Sequence, residues 1–186
     1  MTFVLVAAGL IGTALSPVAS SKLAERRIQR RVVAMQLPSG ATARYIPPWS
    51  FLINPGYEIR LRKFGAKHPT TFDETIYGVP NTGSPIVLYW RIPGAPDLTW
   101  PKSPSLLTYT LTIDGKTFSG RTRFESMHGM WKGSDLTSVY LYDNPPGPTE
   151  VNVRSGTSVR FQATYVPAEG ESLDYQIEPV ITSGGK

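Results

Sequence analysis

Residues 106–124 read Leu-Leu-Thr-Tyr-Thr-Leu-Thr-Ile-Asp-Gly-Lys-Thr-Phe-Ser-Gly-Arg-Thr-Arg-Phe, two alternating runs on either side of Asp114-Gly115. An Asp-Gly pair between alternating strands is the strongest short-range sign of a two-residue hairpin, because both turn residues must adopt positive φ. The stretch predicts antiparallel strands over 106–113 and 116–124. Working outward, further runs of β-branched and aromatic residues punctuated by Pro and Gly predict strands near 49–53, 57–64, 85–92, 136–142, 150–153, 158–166 and 173–181. A second, longer hairpin turns at Ser155-Gly156. In 57–64, Tyr57, Ile59 and Leu61 share one face while Glu58, Arg60 and Arg62 share the other, which predicts one buried and one wet side. The expected fold is all-β, an antiparallel two-sheet sandwich, with immunoglobulin-like and jelly-roll topologies both open.

Composition agrees. Seventeen Gly and seventeen Pro spread over 186 residues imply many short elements joined by turns, and 40% hydrophobic residues suffice for one core. With no cysteine, disulfide scaffolds, thiolate zinc sites and thiol nucleophiles are excluded. The net charge of +5 is uneven: up to Arg44 there are six basic residues against Glu25 alone, and from residue 45 onward thirteen basic residues balance thirteen acidic ones. An anionic partner is therefore expected at the N-terminal arm.

That arm has two parts. Residues 1–21 carry no charged side chain and as a helix would reach about 30 Å, the thickness of a bilayer core, which predicts a retained membrane anchor. Ala8, Gly12 and Ser16 recur every fourth residue, a small-residue stripe suited to helix packing in lipid. Residues 22–41 form the second part. Beyond a Pro17 kink, Ser20-Ser21 caps a second helix in which Ala24, Ile28, Val32 and Met35 make one apolar face, with Lys22, Arg26, Arg27, Arg30 and Arg31 around it. Beside an apolar anchor, such a basic amphipathic helix is expected on an anionic lipid surface, each Arg contributing about 1 kcal/mol. Nucleic acid is the lesser expectation, since the arm lacks interleaved aromatics and base-reading amides. Arginines on the C-terminal flank alone place the globular part, residues 42–186, on the cytoplasmic side.

Catalytic signatures are absent: there is no nucleophile elbow, P-loop or dinucleotide fingerprint. His68 with Asp73 and Glu74 falls in an expected loop without diagnostic metal spacing, and Glu125-x-x-His128 is a single copy of a motif that works in pairs on helices. The expectation is a non-enzyme with no cofactor, no metal and no small-molecule substrate. Trp49 and Trp100, each beside proline, are the candidate interface residues, whereas Trp90 and Trp131 are assigned to the core.

A basic N-terminal arm leading into a cysteine-free β-sandwich resembles the layout of jelly-roll structural proteins of virions. With the apolar first residues, the resemblance implies a membrane-associated component linking an internal membrane to the capsid shell, in contact with other subunits. The alternatives are an accessory subunit of a cellular membrane complex and a membrane-tethered glycan-binding module using Trp49 and Trp100.

Overall fold

The computed structural model describes residues 17–48, 55–95, 103–126, 129–132, 138–142 and 156–184. In chain order it contains helix α1 (Pro17–Val33) and strands β1 (Thr42–Ile46), β2 (Gly56–Arg60), β3 (Phe64–Gly65), β4 (Thr70–Val79), β5 (Ile86–Pro93), β6 (Leu106–Ile113), β7 (Lys116–Arg123), β8 (Gly129–Lys132), β9 (Ser138–Tyr142), β10 (Thr157–Val166) and β11 (Gln176–Ser183).

The Asp-Gly hairpin forms as the sequence demands. Ile113 pairs with Lys116, and Asp114 and Gly115 take φ of +49° and +76°, both positive as a tight hairpin turn requires. The turn is also held from outside, since the Thr157 hydroxyl donates to the Asp114 carboxylate at 2.7 Å.

All pairings between strands are antiparallel, in two sheets. The larger runs β1-β2-β11-β5-β9-β8, with β3 also on β11; the smaller runs β4-β10-β6-β7. Four of these pairings are nested in the chain: β6 with β7, β5 with β9 outside it, β4 with β10 outside that, and β2 with β11 outermost. The chain thus behaves as one long antiparallel ribbon closed at Asp114-Gly115, whose successive pairs lie alternately in the two sheets. The sheets face each other across aromatic contacts. Trp90 of β5 meets Tyr109 of β6 and Phe161 of β10, each at 6.0 Å between ring centroids, and Phe64 meets Phe72 and Tyr165.

Helix α1 closes one side of this sandwich. Its Ile28, Val32 and, just beyond its end, Met35 are buried in the same cluster as the sheet residues, against the edge strands β1 and β4. A two-way backbone exchange between Gln36 and Tyr77 fastens the following segment to β4. The helix runs unbroken through Ser20-Ser21, so those serines do not begin it. Its apolar face, expected on lipid, is taken up by the protein's own core, and Ala24 lies outside that face, exposed. Among the described residues no helix is long and apolar enough to cross a membrane; residues 1–16, most of the proposed anchor, lie outside them.

Several strand expectations shift. The 57–64 run divides into β2 and β3, while β1, β4 and β8 were not anticipated. β4 was expected as a loop because Asp73 and Glu74 are poor strand formers and its buried residues Phe72, Ile76 and Val79 do not keep period two. A register shift against β10 between Thr157 and Val159 explains the lost period. The runs at 49–53 and 150–153 lie outside the described residues.

Candidate interaction surfaces

At 3.6 residues per turn, Arg26 and Arg30 stand about 160° and 200° around α1 from the buried Ile28, while Arg31 falls about 60° away on the flank. Exposure follows this geometry: Lys22, Arg26, Arg27 and Arg30 are exposed and Arg31 is half-buried. Arg30 and Arg31 occupy the last turn, where the helix dipole favours cations. The packing that consumes the apolar face thereby aims the four exposed cations outward as one band. On the flank facing β1, the Tyr45 phenol is pushed up to about 12 by burial and by the Glu25 carboxylate beside it.

The sequence's catalytic candidates do not converge. Asp73 on β4 is held by a two-pronged pair with Arg160 of β10, both bonds at 2.7 Å, and Glu74 accepts from Arg62 at 3.1 Å. As neighbours on a strand the two acids point to opposite sides. His68 is exposed in the turn before β4, its backbone N–H bonded to Gly65. Among the described residues, no three His, Cys, Asp or Glu side chains gather where they could share a metal ion. Glu125 sits in a single 3-10 turn, Phe124–Ser126, and His128 lies outside the described residues.

Two polar constellations were missed by the sequence. The first lies on the outer face of the larger sheet, where Glu58 of β2, assigned to a wet side, is only 6% exposed. Its carboxylate takes two bonds from Arg44 on β1, at 3.0 Å each, and one from Arg60 at 2.6 Å. Two rows along, Arg91 of β5 donates to Glu178 of β11 at 2.7 Å, and both are buried. Between them Val180, Tyr89 and Val87 form a small apolar cluster. Arg44, Glu58 and Arg60 belong to the consecutive strands β1 and β2, whereas Arg91 and Glu178 come from strands far apart in the chain, so no local pattern announces that second pair.

The second lies at the start of β6. The hydroxyls of Ser103 and Ser105, both buried, donate to one oxygen of Glu171 in the β10–β11 loop. The other oxygen accepts the Leu173 N–H at 2.8 Å, and Ser105 accepts the Ala168 N–H at 2.8 Å. Burial pushes the Glu171 pKa upward, but these donors outweigh it and hold the carboxyl below the usual range. With both hydroxyls donating to its carboxylate, Glu171 pins the β10–β11 loop to the start of β6.

Of the other expected site residues, Ala8, Gly12, Ser16, Trp49 and Trp100 lie outside the described residues. Trp90 is buried in the core, as assigned; Trp131 lies on β8. No protein-family model, curated protein or solved structure matches this chain.

Proposed function

We propose that this chain is a non-enzymatic structural protein of a virion, a jelly-roll subunit that packs in many copies into a shell and turns the cationic band of α1 toward an anionic layer beneath it. The observation that carries this is the nested pairing of eight strands around the Asp114-Gly115 hairpin. Winding one antiparallel ribbon into two facing sheets is the jelly-roll plan, whereas an immunoglobulin-like sandwich does not nest its pairs to the chain's outermost strands. That plan is shared by lectins and enzymes, so the step from fold to virion rests on the accompanying basic arm. Imaging of the native assembly tests it: symmetric copies in a closed shell are expected, and a lone copy beside an enzyme core overturns the proposal in favour of an accessory subunit.

For the anionic layer, lipid headgroups beneath the shell remain our reading, with residues 1–16 supplying an anchor. A second reading is favoured by one observation. Because Ile28, Val32 and Met35 are committed to the core, α1 keeps only the separate exposed side chains Leu23 and Val33 to insert, and charge dominates its outer side. Charge alone serves nucleic-acid phosphates as well as lipid. Flotation with anionic vesicles against filter binding to RNA, on the full chain and an R26Q/R27Q/R30Q variant at equal salt, separates the two.

A further inference from the structure

At the end of the larger sheet where β2 and β5 finish, the outer face opens into a cleft of about 580 Å³. Arg60, Arg62, Lys63 and Arg91 line it together with Glu178, with Gly40 and Thr42 completing one wall. We infer that this cleft is an oxyanion site that takes a phosphate group carried on a small molecule or headgroup.

Three features carry the inference. First, the arginines are held in place from behind. Arg60 is tied through Nε to Glu58, Arg62 through Nε to Glu74 and through Nη2 to the Thr71 carbonyl, and Arg91 through Nη1 to the buried Glu178. A guanidinium has five N–H donors, and the ties on Arg60 and Arg62 use one and two of them, so an anion meets a preorganised donor set instead of ordering free side chains. Second, the terminal nitrogens of Arg60 and the Lys63 ammonium form no bond to a described residue. Third, the four lining cations outnumber the three carboxylates that hold them, Glu58, Glu74 and Glu178, so that the cleft keeps a positive excess at Lys63. A single carboxylate ligand would satisfy one fork; a phosphate, with three or four oxygens and up to two charges, can engage several. The volume leaves room for what carries the phosphate. This site is separate from the α1 band and does not depend on the shell proposal.

The test titrates inorganic pyrophosphate into the full chain at 0.15 M salt, followed by calorimetry and by amide shifts. Saturable binding with shifts clustered at 40–42, 60–63 and 91–93 is expected. Lys63→Glu should weaken it tenfold or more; Lys63 is exposed and bonds no described residue, so the fold is expected to survive, and near-UV dichroism verifies that. Arg60→Gln is the second variant, leaving Glu58 paired with Arg44. The R26Q/R27Q/R30Q variant should bind pyrophosphate unchanged, and its loss there would move the site to α1 and overturn the inference. A second arm uses phosphatidylcholine vesicles with and without a phosphoinositide: binding that needs the phosphoinositide and is lost with Lys63→Glu identifies a headgroup as the source. Absence of saturable pyrophosphate binding, or RNA binding lost in Lys63→Glu without pyrophosphate binding, overturns the small-anion site.

Discussion

The two outward faces of the sandwich carry the same chemical pair at the same distance in opposite settings. On the smaller sheet Arg160 grips Asp73 at 2.7 Å, with both side chains about half exposed, 51% and 54%. On the larger sheet Arg91 grips Glu178 at 2.7 Å, with exposures of 8% and 6%. Around the first pair lies a carpet of threonines whose hydroxyls bond across strands, Thr110 to Ser119 and Thr112 to Thr117. Around the second lie Val180, Tyr89 and the buried Glu58. Distance alone therefore says little about what an ion pair does. In water the partners are nearly as well solvated apart as together, whereas under a covered face removing one partner strands the other without solvent.

The largest effect expected from this contrast is at the buried pair. Glu178→Leu or Arg91→Met alone should cost about 3–5 kcal/mol in urea unfolding, and the double variant should recover most of it, since the stranded charge is then gone. If the double variant is as damaged as the singles, the pair is not the source of the cost and packing is. Next comes Gly120 on β7, directly opposite Tyr109. A Cβ built there would collide with the Tyr109 ring, which is itself packed beside Trp90. Gly120→Ala should overpack this side of the core by about 1–3 kcal/mol, and pairing it with Tyr109→Leu should relieve the clash.

A smaller, pH-dependent effect is expected at Glu171. Its folded pKa is depressed, so its contribution is fully present above the unfolded carboxylate pKa and is lost as pH falls through the folded value. Hydrogen exchange at the Ala168 and Leu173 amides should quicken over that acid range, and Glu171→Gln should remove the pH dependence; unchanged protection down to the acid limit would sink the pinning role. The smallest effect belongs to Arg160→Gln on the exposed face. Asp73 is also held below its usual range by Arg160, but in open solvent, so the variant should leave the unfolding midpoint within error in moderate salt. A clear loss of stability there would erase the contrast between the two faces.

These same two faces explain which parts of the molecule were legible beforehand. On β6 and β10 one side is wet, so burial alternates residue by residue and the strands could be placed to within a residue or so. On β11 nearly every residue from Ile177 to Ser183 is buried, including Glu178, and alternation carries no information about which side is the core. β4 hid behind its register shift. The amphipathic helix was legible as a helix, and its partner was not: an apolar stripe ringed by arginines has the same pattern whether it meets lipid or its own sheets.

From the order of residues alone came the Asp114-Gly115 turn, the antiparallel all-β class, the neutral domain with its basic arm, and the arginine band of α1. Each follows from neighbours along the chain, because turn dihedrals, strand alternation and helical periodicity are short-range properties. Tertiary structure decided the rest: that α1 closes the sandwich, that Glu58 and Glu178 are buried, that Ser103 and Ser105 clasp Glu171, and that four cations share one cleft. Those facts depend on which distant strands become neighbours, as Arg91 and Glu178, 87 positions apart, do through the pairing of β5 with β11. Register between strands is set by the whole core at once, and it cannot be read from either strand alone.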